Sequence, residues 1–384
     1  MIKKNTKRIL VIIDSLGYGG AERLLVSLLP RIARDGLHVD VVTLLIDISL
    51  MPELEKEKIN VMPLNATNRW SFFKILKDLR KIVKGNSYDV VWGHLYFGNL
   101  YSATLGYLFP KLRVIWTLHS PGYSNNPQKK FKHKVKVCIE KFMGHNRVNH
   151  IVAVSKAVSN DYRHTTKWKS ISVIYNGIDF SKFPTVISKK VASNTRAKYG
   201  IKKSDILVVT PGRYAPEKGH KFMIEALEIL NTKYKIQAQW ICVGSGNFKE
   251  HIEKLAKSSN SNDNIHLLNA LPHQDLLSLV QSSDLVVIPS IREPFGIIAV
   301  ESMGLGIPTM VSYVDGLREV SFGDIESPNN IRPCNSVDMA KKIFVMLNDK
   351  KIREKLVVFG KNRAIDLFDI QKSADKWSDL LNKV

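Results

Sequence analysis

The order of apolar and polar positions divides the chain into short apolar runs and longer stretches of helical spacing. Ile9–Ile13, Val39–Leu45, Asn60–Pro63, Val90–Trp92, Val114–Leu118, His150–Val154 and Ser172–Ile174 are mostly Val- and Ile-rich and lack strict alternation. Runs of this kind predict parallel strands buried on both faces. Between several of them, Glu22–Arg34 and Phe72–Lys84 among others, apolar residues recur at helical spacing. The rhythm restarts at Ile206–Thr210 and continues through Gln239–Val243, Ile265–Leu268, Leu285–Pro289 and Thr309–Ser312. Strand–helix alternation through each half predicts an α/β protein of two doubly wound, Rossmann-like domains. The boundary falls between Phe180 and Ser204, where Pro184 and several basic residues interrupt the apolar pattern. This reads as a first domain over 1–182, a linker over 183–203 and a second domain over 204–367. Phe368, Ile370, Trp377, Leu380 and Leu381 give the last segment, 368–384, one apolar helical face.

Composition narrows the class. A chain of 384 residues suits two domains, and a 44% hydrophobic fraction supplies two cores. No uninterrupted apolar run approaches 20 residues, so no membrane span is expected. Lys3, Lys4, Lys7 and Arg8 precede Ile9–Ile13 like the start of a secretory signal, but Asp14 ends that run. The segment reads as a first buried strand instead. Cys138, Cys242 and Cys334 are odd in number and far apart, which argues against a disulfide framework or clustered metal ligands. A reduced, cytoplasmic chain is the expectation.

Charge changes the picture more. The net charge is +22, and residues up to 185 carry 29 basic and 13 acidic side chains, a surplus of +16. Such a field suits an anionic partner, nucleic acid or membrane, or serves only solubility. Two segments concentrate it. Arg69 and Trp70 open a stretch running to Lys84 that mixes aromatic and basic residues, and Lys129, Lys130, Lys132, Lys134 and Lys136 follow within eight positions. Basic helices with aromatic anchors lie on anionic membranes. For the first segment, the apolar residues equally suit the core face of a Rossmann helix.

Ligands of open α/β sheets gather at the carboxyl ends of strands, so the loops there carry the candidate chemistry. Asp14-Ser-Leu-Gly17-Tyr-Gly19-Gly20-Ala-Glu22-Arg23 follows the first strand; it fits a phosphate cradle at a helix N-terminus or a tight turn without a ligand. Gly212-Arg213 and Lys218-Gly219 follow the first strand of the second half, where two cations can clamp a diphosphate or merely face solvent. The most specific pattern is Glu293-Pro-Phe295-Gly296-Ile297, with Glu301 eight positions after Glu293. Carboxylates on such a loop suit sugar hydroxyls, since each accepts several hydrogen bonds.

Glu293 and Glu301 resemble the paired-glutamate motif of family 4 glycosyltransferases, which have the GT-B fold of two Rossmann-like domains facing across a cleft. Gly19-Gly20-Ala-Glu22-Arg23 is similar to that family's N-terminal glycine loop, and Asn176-Gly177-Ile-Asp179 to the end of its first domain. Gly212-Arg213 with Lys218-Gly219 resembles its donor-diphosphate clamp, and Gly244-Ser245-Gly246 its Gly-x-Gly turn. The resemblance implies that Arg213 and Lys218 hold the donor diphosphate, with Gly19, Gly20, Gly212 and Gly244 lining the donor site. It implies that Glu301 takes the ribose hydroxyls and Glu293 the donor sugar, beside backbone N–H groups of Phe295, Gly296 and Ile297. His119 matches the family's histidine near the reaction centre, and His94 is a lower-ranked strand-end candidate. Retention of configuration is implied too, with no metal or other cofactor and a UDP- or GDP-sugar as donor. Asn269 and Asp315-Gly316 depart from the usual glycines, which leaves the donor's identity open.

The expectation is therefore a retaining hexosyltransferase, peripheral on the inner face of the cytoplasmic membrane and acting in polysaccharide or lipopolysaccharide assembly. Its first domain would bind a lipid-linked glycan acceptor and an anionic membrane surface through Arg69, Trp70, Lys129, Lys130, Lys132 and Lys134; the terminal helix would pack back on that domain. A soluble anionic acceptor is the alternative. A nucleic-acid-binding Rossmann protein is the rival class, opposed by the ordered donor loops and by the lack of any nucleic-acid motif.

Overall fold

The computed structural model describes residues 6–120, 131–183 and 189–384. The chain divides into two compact units, Met1–Ile178 with Ile370–Val384, and Asp179–Asp369.

Among the described residues, the first unit is built on seven parallel strands: β1 (Arg8–Ile13), β2 (His38–Leu45), β3 (Asn60–Ala66), β4 (Val90–His94), β5 (Arg113–Leu118), β6 (His150–Ala153) and β7 (Ser172–Val173). Their order is β3-β2-β1-β4-β5-β6-β7, with Ile9 opposite both Val39 and Val90. Ile9–Ile13 are fully buried, as a central strand covered on both faces requires. The helix Leu95–Leu108 lies so close to β1 that a Cβ at Gly98 would overlap the Ile12 carbonyl oxygen. The terminal helix, Ile370–Lys383, buries Ile370, Ala374, Trp377 and Leu381 and packs against the helix Gly20–Arg34. The Trp377 ring lies 4.2 Å from that of Trp92, and Ser378 Oγ donates to Asp35.

The second unit holds β8 (Ile206–Pro211), β9 (Ala238–Val243), β10 (Ile265–Leu268), β11 (Leu285–Ile288), β12 (Thr309–Ser312) and β13 (Asn330–Ile331), all parallel. Their order is β10-β9-β8-β11-β12-β13.

Three boundaries differ from the sequence reading. Asp179–Lys182 belong to the second unit, where the Phe180 ring packs on Gly304. Residues 189–198 are a helix of that unit rather than part of a linker. Buried Arg196 ties it down, donating to the Ser282 carbonyl at 2.7 Å, the Asp205 carbonyl at 2.8 Å and the Asp284 carboxylate at 2.8 Å. Phe368 ends the helix Lys350–Phe368 in the second unit, edge-on to Phe295 at 5.3 Å, instead of starting the terminal helix.

In each sheet the strand order reverses direction once, between β1 and β4 and between β8 and β11. Ligand crevices of doubly wound sheets open at that switch point, beyond the strands' carboxyl ends. The loops after these four strands hold most of the candidate residues.

Candidate active site

In the second unit, β8 ends in a turn fixed by backbone. Gly212 N–H donates to the Val243 carbonyl at 2.9 Å and Tyr214 N–H to the Ser245 carbonyl at 2.9 Å. Gly244 sits so near Gly212 that a Cβ there would overlap its carbonyl oxygen. Gly219 has φ +68°, and a Cβ would overlap the Pro289 carbonyl, so this turn lies directly against the end of β11. The contact delivers Lys218: its Nζ lies 2.5 Å from Glu293 Oε2, which also accepts from Ser290 Oγ at 3.2 Å. Arg213 is exposed and pairs with Glu217 Oε1 at 3.0 Å.

Glu293 is buried at 9% exposure, and its backbone is held from both sides. Its N–H donates to Asp315 Oδ2 at 3.2 Å, and its carbonyl accepts from Gly316 N–H at 3.0 Å. Asp315, at φ +35°, thereby orients the glutamate loop, which gives this departure from the family's glycine a structural task. The other departure, Asn269, accepts from Lys249 Nζ at 2.8 Å. Gly296, at φ +101°, caps the helix Ile297–Gly304, whose first N–H groups have no partner within the helix. Glu301, 8% exposed, lies one turn in and meets His273 Nε2 at 2.9 Å. Phe295 is buried beneath this turn. Thus the fold joins Lys218 to Glu293 and places Glu301 on the same loop-and-helix segment. Sequence spacing missed Ser290, His273 and the role of Asp315; each is an ordinary polar residue whose contact is made only by the fold.

In the first unit, β4 ends at His94 and β5 leads into His119. His94 Nδ1 and His119 Nε2 are 2.9 Å apart. His94 is fully buried and its Nε2 has no partner. A proton on that Nε2 would be an unpaired buried donor, so we assign the proton to Nδ1, donating to His119. His119 then carries its own proton on Nδ1. Burial drives His94 well below the ordinary histidine range, reinforced by its partner, and holds His119 at about 4. Leu95 follows at φ +61°, a strained position for a branched residue.

The N-terminal glycine loop is ringed by acids. Asp14 is buried and pairs with Arg69 Nη1 at 3.2 Å, and a Cβ on Gly19 or Gly17 would overlap the carboxylates of Glu22 or Asp47. Burial raises both Asp14 and Glu22, Arg69 opposing it at Asp14. Gly20 opens the helix Gly20–Arg34. Arg69 therefore turns inward to β1, while Trp70 is 67% exposed with its edge on Phe97. Lys134 is exposed; Lys129 and Lys130, and the side chain of Lys132, lie outside the described residues. Among the described residues, no group of three His, Cys, Asp or Glu could hold a metal ion, and no helix is long and apolar enough to cross a membrane.

Two Rossmann-like parallel sheets in one chain, each with candidate loops at its switch point, are the architecture of the GT-B class of glycosyltransferases. Residues 18–182 match the model of Glycosyltransferase Family 4 and residues 191–363 that of Glycosyl transferases group 1. The chain belongs to the family 4-like GT-B glycosyltransferases. It is 26% identical over 346 residues to an uncharacterised glycosyltransferase of Methanocaldococcus jannaschii, covering 86% of each chain. It is 24% identical over 315 residues to the UDP-Gal:alpha-D-GlcNAc-diphosphoundecaprenol alpha-1,3-galactosyltransferase of Escherichia coli, covering 80% of this chain and 78% of that one. Among solved structures, HepE of Anabaena in complex with UDP and glucose superposes with a TM-score of 0.85 at 20% identity, covering 98% and 100% of the two chains. WaaG, a glycosyltransferase involved in lipopolysaccharide biosynthesis, superposes with a TM-score of 0.74 at 16% identity over 98% and 100%.

Proposed function

We propose that this glycosyltransferase moves a hexosyl group from a UDP- or GDP-sugar to a hydroxyl of a lipid-linked glycan, with retention of configuration, at the inner face of the cytoplasmic membrane. The observation that carries the donor half is the Lys218–Glu293–Ser290 cluster at the end of β11, on the segment that leads into the helix bearing Glu301. Lys218 gives one donor to Glu293 and keeps two for phosphate oxygens. Arg213 adds a forked guanidinium, so the two cations, without a metal ion, offset the diphosphate. Glu301 accepts from ribose hydroxyls and Glu293 from the donor sugar.

In the step itself, the bond from anomeric carbon to phosphate oxygen breaks while the acceptor oxygen bonds on the same side. The acceptor's proton passes to the departing phosphate. Retention by double displacement would instead need a carboxylate beside the anomeric carbon. Positioning and electrostatic stabilisation are then the protein's contribution. A panel of UDP-, GDP- and ADP-sugars tests the donor half: nucleotide should be released from a UDP- or GDP-sugar, with the released or transferred sugar first seen by NMR in the donor's own anomeric form. Release from none of them, or first appearance of the opposite anomer, would end the respective part of the reading.

Support for the membrane half comes from the E. coli relative, whose name carries a diphosphoundecaprenol acceptor, and from two surface features. Phe73 is 88% exposed beside exposed Lys74 and Lys77, although Ile75, Leu79 and Val83 of that helix face the core. On the helix Phe131–Asn146, Val135, Ile139 and Phe142 form an outward apolar stripe flanked by exposed Lys134 and Lys141. The protein should co-sediment with anionic vesicles and not with neutral ones, and should dissociate as salt shortens the screening length from about 10 Å at 0.1 M to about 3 Å at 1 M. Phe73→Ser with Phe142→Ser should release it; unchanged sedimentation, or equal binding to neutral vesicles, would make these surfaces simply solvated.

A further inference from the structure

Beside His119, the first unit holds a partly open cavity of about 120 Å³ whose lining includes Tyr96, Asn99, Thr117, Lys136 and Glu140. Two buried oxygens among these residues have no partner: Asn99 Oδ1 and Glu140 Oε2. Asn99 is 2% exposed and Glu140 3%. Asn99 is fixed by its Nδ2, which donates to the Thr117 carbonyl at 3.2 Å. Glu140 lies on the inner side of the helix Phe131–Asn146, whose opposite stripe faces solvent. Leaving such groups buried and unpaired is costly, so they favour whatever occupant of the cavity brings hydrogen-bond donors.

The nearby cation is turned to a ring and an acid outside the cavity's oxygens. Lys136 Nζ lies 3.8 Å over the Tyr96 ring, and its strongest attraction is to Asp14, itself paired with Arg69. Burial pushes the Glu140 carboxyl up to about 8, so at neutral pH it keeps its proton and can both give and accept a hydrogen bond. A phosphate or carboxylate would meet acceptor oxygens here, whereas an alcohol complements a protonated carboxyl and an amide oxygen. The space admits the hydroxyl-bearing edge of a sugar.

We propose that this cavity is a subsite for the hydroxyl edge of a neutral sugar, read by Glu140 and Asn99, and that the acceptor's reacting end is therefore a neutral sugar rather than an anion. The assignment to the acceptor rests on the glycosyltransferase reading; the binding itself does not. Saturation-transfer NMR on the full chain, without nucleotide, tests it with methyl α-glucoside, methyl α-galactoside and the methyl glycoside of N-acetylglucosamine. At least one glycoside should receive saturation, and inorganic phosphate should not displace it. Glu140→Gln, which mimics the protonated acid, should keep binding. Glu140→Met should weaken it about tenfold, as expected for one lost buried hydrogen bond. Should Glu140→Met fail to fold in a thermal melt, Glu140→Asp, which withdraws the carboxyl by one methylene, is to show the same loss. Absence of binding by the unaltered chain, full binding by the variant, or displacement by phosphate would overturn the subsite. Nucleotide release from donor sugars is read separately: binding without release would sink the glycosyltransferase reading alone, and release without binding the subsite alone.

Discussion

Lys218 and Glu293 stand 75 positions apart in the chain and meet as a half-buried ion pair because Gly219 lets one turn touch the end of β11. Their types and motif were legible in the sequence; their contact was not, since no local spacing encodes it. Glu140 shows the opposite case. It is one acid behind a lysine-rich run, and nothing in that run tells which side of the helix faces the core. Its burial has a measurable consequence. With the carboxyl raised from about 4.5 to about 8 on folding, the native chain binds the extra proton across that interval. Stability should therefore fall as pH rises from about 5 to 8, and Glu140→Gln, neutral throughout, should lose less of it. Thermal melts of both proteins at pH 5 and pH 8 check this; parallel pH dependence would mean that Glu140 is ionised in the fold. The His94–His119 pair acts at the acid end with the opposite sign. Both are depressed, so their contribution is present above about 6.5 and lost as pH falls towards about 4.

At the scale of elements, the terminal helix closes the first unit's core across the chain's two ends. Its largest buried side chain is Trp377, 3% exposed with its ring tilted against that of Trp92. Trp377→Ala should cost about 3–5 kcal/mol, read from chemical denaturation, and should loosen the first unit before the second. A loss under 1 kcal/mol would mean that the helix is dispensable there. Twelve strands were legible as apolar runs because a parallel strand buried on both faces needs Val and Ile at successive positions. The two-residue strand Asn330–Ile331 was not, since its buried Asn330 breaks any such run. The helix Lys189–Lys198 was mistaken for a linker because its anchor is Arg196, a residue that pattern reading counts as surface. Phe368 and Ile370 look like one apolar face, yet the break between the two helices sends their side chains to different units.

At the scale of the molecule, the two parallel sheets followed from strand–helix alternation and the family from five motifs in order, whereas the strand order and its switch points came only with the fold. Donor, acceptor and location were not legible, since charge surplus attracts any anion and loop glycines suit any phosphate. The central claim is that the second unit binds a nucleotide sugar through Lys218 and Arg213 and uses them to stabilise the departing diphosphate. The direct measurement is kcat/KM for nucleotide release from the accepted donor by the unaltered chain, Lys218→Ala and Arg213→Ala, each checked for native folding. Each variant should lose about 10²–10³ in kcat/KM, the scale of removing one group that stabilises transition-state charge. Near-normal turnover in both variants would contradict the account.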